Sequence, residues 1–259
     1  MLHRYIQNFK KFRPLLSELV ERDIKIKYRK SVLGVLWTLL NPLLMMCILA
    51  IVFSNLFKFD IENYPVYILS GQVIYNFFNE STTSALSSII NNASLIKKVY
   101  IPKYMFVLSR ILSSIINMLA SHCALLIVMI VLRCEMHWTM LLFPIPAALL
   151  VVFCLGIGMI LATITVKFRD IMHLYSVFTT GLMYLTPVIY AMSLLPGWLS
   201  KIVMINPITN YLIMYRDVML VGTCFSAFSF FLGLAEAAAA LLFGILLFVK
   251  KQDTFILNI

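Results

Sequence analysis

Two carboxylates, Glu80 and Glu236, lie inside long apolar stretches, where a charge at the centre of a bilayer costs about 3 kcal/mol even on lenient scales. An acid so placed faces a cavity or a partner rather than lipid. Glu80 stands in a polar run, Asn76, Asn79, Glu80, Ser81, Thr82, Thr83 and Ser84. That run suggests a helix face turned to water or a polar substrate, although the same groups also serve as hydrogen bonds between helices. Glu236 sits among Gly233, Ala237, Ala240 and Gly244, whose spacing permits close helix packing around a hydrogen-bond node. A single acid in each of two segments is thin material for a proton relay.

Little else in the chain offers catalysis. His3, His122, His137 and His173 are scattered, and no HExxH, GxSxG or paired-carboxylate motif occurs. A membrane-embedded transferase needs a catalytic acid with a metal or base partner, and neither Glu80 nor Glu236 has an obvious one. A GxxxxGK[ST] phosphate loop is also missing, so ATP hydrolysis by that route is excluded. Energy for transport must then come from an ion gradient or from another subunit. The five cysteines form no CxxC pair. Cys47, Cys123 and Cys154 fall in apolar runs, while Cys134 and Cys224 fall in connecting segments on one side, where a disulfide is compatible with the sequence. No metal or other cofactor is expected on the chain itself.

The elements that must position these residues are membrane helices. The 259 residues are 62% hydrophobic and 12% charged, with a mean hydropathy of +0.95, whereas soluble domains carry about 25% charged residues. This is the composition of an all-α integral membrane protein. Six apolar segments are long enough to span: about 32–57, 64–90, 105–132, 138–166, 171–190 and 225–249. Runs this long and continuous are helices, not alternating barrel strands. The formal charge of +10 would suit a nucleic-acid partner, but its distribution argues otherwise. One set of connections and both termini hold 17 Lys and Arg, and the opposite set holds 4. The heavy side is cytoplasmic, so both termini lie inside. No early apolar core with a cleavage site precedes residue 30, so the first span is expected to act as its own insertion signal.

The junction ERDIKIKYRKSVLGVLWTLLNP at 21–42 runs from the basic cluster Arg22, Lys25, Lys27, Arg29 and Lys30 straight into the first span, without a linker. Residues 11–30 read as an amphipathic helix, with Leu15, Leu16, Leu19 and Val20 apolar and Arg13, Glu18, Glu21, Arg22 and Lys25 polar. A lipid-surface anchor and a docking element for a cytosolic partner both fit. The loop NNASLIKKVYIPKY at 91–104 predicts a short helix carrying Lys97 and Lys98 and stopped at Pro102. It is compact enough to transmit force, and positive-inside anchoring explains its lysines equally well. The last outer connection, 191–224, is broken by Pro196-Gly197 and Asn206-Pro207 into pieces too short to span. Those pieces predict re-entrant or interfacial helices before the last span. Phe53, Phe57, Tyr64, Tyr67, Tyr184, Tyr190 and Trp198 cluster near expected outer ends and suit an interfacial belt, or a lining on which sugar rings stack. Residues 1–259 are expected to form one membrane domain.

Five segments in one order, RDIKIKYRKSVLGVLWTLLNPLL, NNASLIKKVYIPKY, FRDI at 168–171, PVIY at 187–190 and NPITNYLIMYRD at 206–217, closely resemble the membrane subunit of type-2 ATP-binding-cassette exporters. The resemblance is to the exporters of lipid-linked polysaccharide, which include O-antigen, teichoic-acid and capsule exporters, and it spans essentially the whole chain. It implies a homodimer in a bacterial inner membrane, bound to two copies of a cytosolic ATPase that carries the ATP and Mg. It implies ATPase coupling through Arg22, Lys25 and Lys27 on the N-terminal interface helix and through Leu95, Lys97, Lys98, Tyr100 and Pro102 of the 91–104 loop. Phe168, Arg169 and Asp170 would form a cytoplasmic gate. Trp37, Asn41, Pro42, Tyr67, Glu80, Tyr184 and Tyr190 would lie along the path, and Pro196, Trp198, Asn206, Pro207 and Arg216 at an outer gate. A permease of the same superfamily for a drug, haem or peptide remains open at this point.

Overall fold

The structure, a computed structural model, describes the backbone of residues 2–28, 31, 33–57 and 63–258. Arg29, Lys30, Val32 and most of the expected outer connection at 58–63 lie outside the described residues, as do the side chains of His3 and Phe57. Among the described residues all regular structure is helical. The α-helices are α1 (Leu2–Tyr28), α2 (Trp37–Phe57), α3 (Tyr64–Leu86), α4 (Ser88–Asn91), α5 (Ala93–Lys98), α6 (Tyr104–Val131), α7 (Pro144–Lys167), α8 (Ile171–Leu185), α9 (Gly197–Ile205), α10 (Pro207–Arg216), α11 (Ala227–Lys251) and α12 (Phe255–Asn258). A π-helical turn, Asp217–Val221, extends α10, and short 3₁₀ turns precede α2 and α7.

Three helical stretches are long and apolar enough to cross a membrane by length and composition: Tyr104–Val131, Trp138–Lys167 and Ala227–Thr254. Helix α3 is long but too polar to join them, and its position explains why. It packs against α2, α6, α7, α8 and α10, and nearly every side chain from Tyr64 to Tyr75 is buried. Polar groups on such a helix meet protein instead of hydrocarbon.

Helices α7 and α11 share the longest contact in the molecule. Small residues make it possible: a Cβ on Gly156 would collide with the backbone of Ala240 and Leu241, and one on Gly244 with the backbone of Gly156. The spacing around Glu236 therefore does serve close packing. At the other end of α11 the chain folds back, setting Phe255 edge to face with Phe248 at 5.3 Å between ring centroids, while Lys103 donates to the carbonyl of Gln252. Helix α1 lies against α6. Leu16 and Leu19 of its apolar stripe join the core of the bundle, so this face meets protein rather than lipid.

Several boundaries differ from expectation. The first helix begins at Leu2 rather than near residue 11, since a regular helix tolerates the polar residues ahead of the apolar stripe. The 64–90 segment breaks at Ser87 and resumes as the short α4. The 171–190 segment is helical only to Leu185, which leaves 15 residues, a rise of about 22 Å against about 30 Å of hydrocarbon. Pro187 accounts for the stop: it lacks an N–H and drives Thr186 into extended backbone. The Cys134–Cys224 bridge that the sequence allows is not formed; all five cysteines are free thiols, with Cys224 exposed and Cys134 half-buried.

Gly156→Ala is expected to lower stability by about 1–3 kcal/mol through overpacking. Gly181→Ala, at a position with nothing within 4 Å of a new Cβ, should be neutral or slightly stabilising. Thermal unfolding of the detergent-purified variants checks both, and equal behaviour would contradict the close α7–α11 approach.

Candidate functional site

Glutamine and asparagine spaced along one face of α3 meet α2, α6 and α8 across a cavity of about 470 Å³. From α3 come Gln72, Asn76, Asn79 and Glu80, at i, i+4, i+7 and i+8. Helix α2 contributes Trp37, Thr38, Asn41 and Pro42. Asn117 and Ser121 of α6 and Met183 of α8 complete the opposite walls. Lys27, near the end of α1, closes the side nearest that helix. Its Nζ lies 2.7 Å from Glu80 Oε1, and the same oxygen accepts from Asn117 Nδ2 at 2.5 Å. Glu80 thus joins α1, α3 and α6 at one carboxylate.

A second ionic cluster ties α1 to α6. Asp23 is buried, and one of its oxygens lies 3.1 Å from both Arg22 Nη2 and Arg110 Nη1. A buried acid is tolerable only with such partners. Lys25 points the other way, exposed and paired with Glu21 at 2.5 Å. That hydrogen bond raises the Lys25 ammonium above its ordinary pKa. Of the three expected coupling cations on α1, Arg22 and Lys25 pair with acids of the same helix, while Lys27, exposed, reaches across to Glu80 of α3.

Arg216 organises a third site. Its guanidinium is buried and donates to the carbonyls of Pro187 (2.6 Å), Tyr67 (3.0 Å) and Val188 (3.1 Å) and to Ser70 Oγ (3.2 Å). It also lies 3.6 Å from the centroid of the Tyr67 ring. Tyr64 and Tyr67 hydroxyls donate to the carbonyls of Ile189 and Tyr190. Asn206 caps α10 by accepting from the Ile208 N–H, and its amide donates to Thr186 Oγ1. Each carbonyl from Pro187 to Tyr190, where the helix has stopped, is therefore bonded. Gly71 makes room for this arrangement, since a Cβ there would lie 2.8 Å from Arg216 Nη2 and 2.9 Å from the Val188 carbonyl oxygen.

The structure brings Trp37, Asn41, Pro42 and Glu80 together at the cavity, and holds Tyr67 and Tyr190 apart from it at the Arg216 cluster. Tyr184 is 67% exposed and its carbonyl accepts from Tyr190. On α5, Lys97 and Lys98 are exposed and Leu95 is half-buried, and in the loop after it Tyr100 is 88% exposed and Pro102 half-buried. Phe168, Arg169 and Asp170 form an exposed turn between α7 and α8. Pro196 and Trp198 are exposed at the start of α9, and Pro207 opens the buried α10. His122 is structural: it is stacked on Phe143 and bonded to the Tyr215 hydroxyl at 2.7 Å. Glu236 is half-buried in α11, and its Oε2 finds no hydrogen-bond donor among the described residues. Reading residues alone misses Gln72, Asn117 and Ser121 at the cavity and Arg110 beneath α1. Extending the polar run by one helical turn, from Asn76 back to Gln72, would have found the first of these.

This all-helical membrane protein, with a broken helix pair before its last long helix, matches the ABC-2 type transporter family over residues 14–220. The chain belongs to that family. It is similar to an O-antigen export system permease protein RfbA of Klebsiella pneumoniae, 30% identical over 211 residues that cover 81% of each chain. A protein of the same description in Myxococcus xanthus is 30% identical over 217 residues, 83% of this chain and 84% of its own. The capsule polysaccharide export inner-membrane protein CtrC of Neisseria meningitidis is more distant, at 21% identity over 207 residues, 79% of this chain and 78% of its own.

Arg216→Leu is expected to leave the 187–188 carbonyls buried without donors, at about 1–3 kcal/mol for each orphaned group, and to abolish the monodisperse folded species. Arg216→Lys, a point charge that cannot span the same acceptors, should be intermediate. Fluorescence-detected size exclusion ranks the three proteins; a wild-type profile for Arg216→Leu would remove this account of the break.

Proposed function

We propose that the chain is the channel-forming permease subunit of an ATP-driven exporter that carries lipid-linked polysaccharide, O-antigen foremost, across a bacterial inner membrane. Two copies of the chain assemble with two copies of a cytosolic ATPase, which binds the ATP and Mg. In this reading the six spans are α2, α3, α6, α7, α8 together with the non-helical segment to Tyr190, and α11, and both termini lie in the cytoplasm, as the Lys and Arg distribution supports. Helix α1 and the 91–104 loop meet the ATPase. The Phe168–Asp170 turn guards the cytoplasmic entrance, and α9 and α10 form the outer gate. All of residues 1–259 then act as one membrane domain.

The observation that carries the reading is the amide-walled cavity. A soluble glycan cannot pass about 30 Å of hydrocarbon unshielded, and Trp37, Asn41 and Glu80 share a polar cavity bordered by α2 and α8. The relatives described as O-antigen and capsule polysaccharide exporters point to the same cargo. Coupling has a physical route in the Lys27–Glu80 and Asp23–Arg110 pairs, which tie α1 to α3 and α6. A stroke on α1 is delivered to both walls of the cavity, and through residue 31 to α2.

The purified chain is expected to hydrolyse no ATP alone and to support ATP-dependent glycan export when reconstituted with its ATPase. Export in vesicles without any ATPase would overturn the reading. Glycines inserted after Ser31 should uncouple ATP hydrolysis from export while leaving membrane insertion unchanged. Wild-type export by that variant would show that slack before α2 does not matter.

A further inference from the structure

We propose that the cavity between α2, α3, α6 and α8 binds a neutral saccharide unit, with Gln72 as a central contact and Trp37 as the stacking face. The proposal deepens the export reading and rests on it for the source of the saccharide. Its volume of about 470 Å³ falls within the roughly 300–1,000 Å³ of small-molecule sites.

The chemistry of the walls selects the ligand. A side-chain amide offers both donors and an acceptor, and a sugar hydroxyl likewise donates and accepts. Asn41, Gln72, Asn76 and Asn117 present such amides from three helices. Gln72 is 2% exposed, and its Oε1 has no donor among the described residues. A buried acceptor without a partner is costly, and a ligand hydroxyl in the cavity would supply the missing donor. Trp37, 42% exposed, offers an apolar aromatic plane beside these polar groups, as the C–H face of a pyranose requires.

Charge narrows the class further. Lys27 and Glu80 line the cavity but neutralise each other at 2.7 Å, and no other ionic side chain among the described residues lines it. A uronate or a phosphate would meet no spare cation among the described residues and would face the Glu80 carboxylate. The unit bound here is therefore an uncharged hexose or deoxyhexose. A conducted cargo must also leave, so its affinity is weak, about millimolar.

The test uses the full chain in nanodiscs with Trp138→Phe and Trp198→Phe, so that Trp37 is the sole indole emitter. Mannobiose, galactobiose and rhamnose serve as neutral probes, and glucuronate and inorganic pyrophosphate as anionic ones. The expected result is a saturable change in Trp37 emission with at least one neutral sugar, weakened tenfold or more by Gln72→Met and by Asn76→Leu, with no response to the anions. Asn76 is exposed, so its variant keeps the comparison valid if Gln72→Met fails to fold. Silence with all three neutral sugars, an undiminished response in Asn76→Leu, or tighter binding of an anion would each overturn the proposal. Should the sugars be silent while the wild-type transporter still exports glycan under ATP, the site is lost and the export reading stands. A saturable sugar response without ATP-dependent export upholds the site and strikes the export reading instead.

Discussion

A helix that stops inside a membrane protein leaves carbonyls that must find donors in protein, because hydrocarbon supplies none. Most of this fold is arranged around that constraint. Helix α8 ends at Leu185, and Arg216 reaches from α10 to the carbonyls of Pro187 and Val188. Its fork carries several donors at fixed angles, which a lysine or an amide could not direct to so many acceptors. The guanidinium also holds the Tyr67 carbonyl and Ser70 of α3, so one side chain links the break, the central helix and the short helix that precedes the last long one. A charge buried without a carboxylate is acceptable here because oriented backbone dipoles and the Tyr67 ring replace its hydration.

The same logic governs α3. Packed against five other helices, it carries Gln72, Asn76, Asn79 and Glu80 on the face that lines the cavity. Tyr175 donates to Thr82 at 2.7 Å, and Tyr75 donates to the carbonyl of Thr179, which fixes α8 against α3 beside the cavity. The rigid partner of this polar half is the α7–α11 pair, joined backbone to backbone at Gly156 and Gly244. The molecule therefore combines a tightly packed apolar pair with a polar hub around which α1, α2 and α8 are set.

Parts of the site are legible from residues alone. The run from Asn76 to Ser84 marks a polar helix face, the 91–104 loop holds a short helix that carries Lys97 and Lys98 but ends at Lys98, ahead of Pro102, and Asn206-Pro207 marks the start of α10, where Asn206 does cap the helix. Gln72 escapes because it stands among apolar residues, and its role depends on Asn117 of α6 and Trp37 of α2 across the cavity. The length of α8 is overread because Val188, Ile189 and Tyr190 continue the apolar run past a proline that ends the helix. The stripe on α1 suits lipid and protein equally, and only the packing of Leu16 and Leu19 decides between them.

The sequence by itself determined the membrane class, the all-helical fold and the motifs of the transporter family. These follow from composition and local order, which any stretch of about 20 residues expresses on its own. The tertiary structure alone decided which polar groups meet. Glu80 joins Lys27 across 53 positions, and Arg216 joins Ser70 across 146. No helical period encodes such pairings, because they arise only when packing brings polar groups of different helices within hydrogen-bond reach.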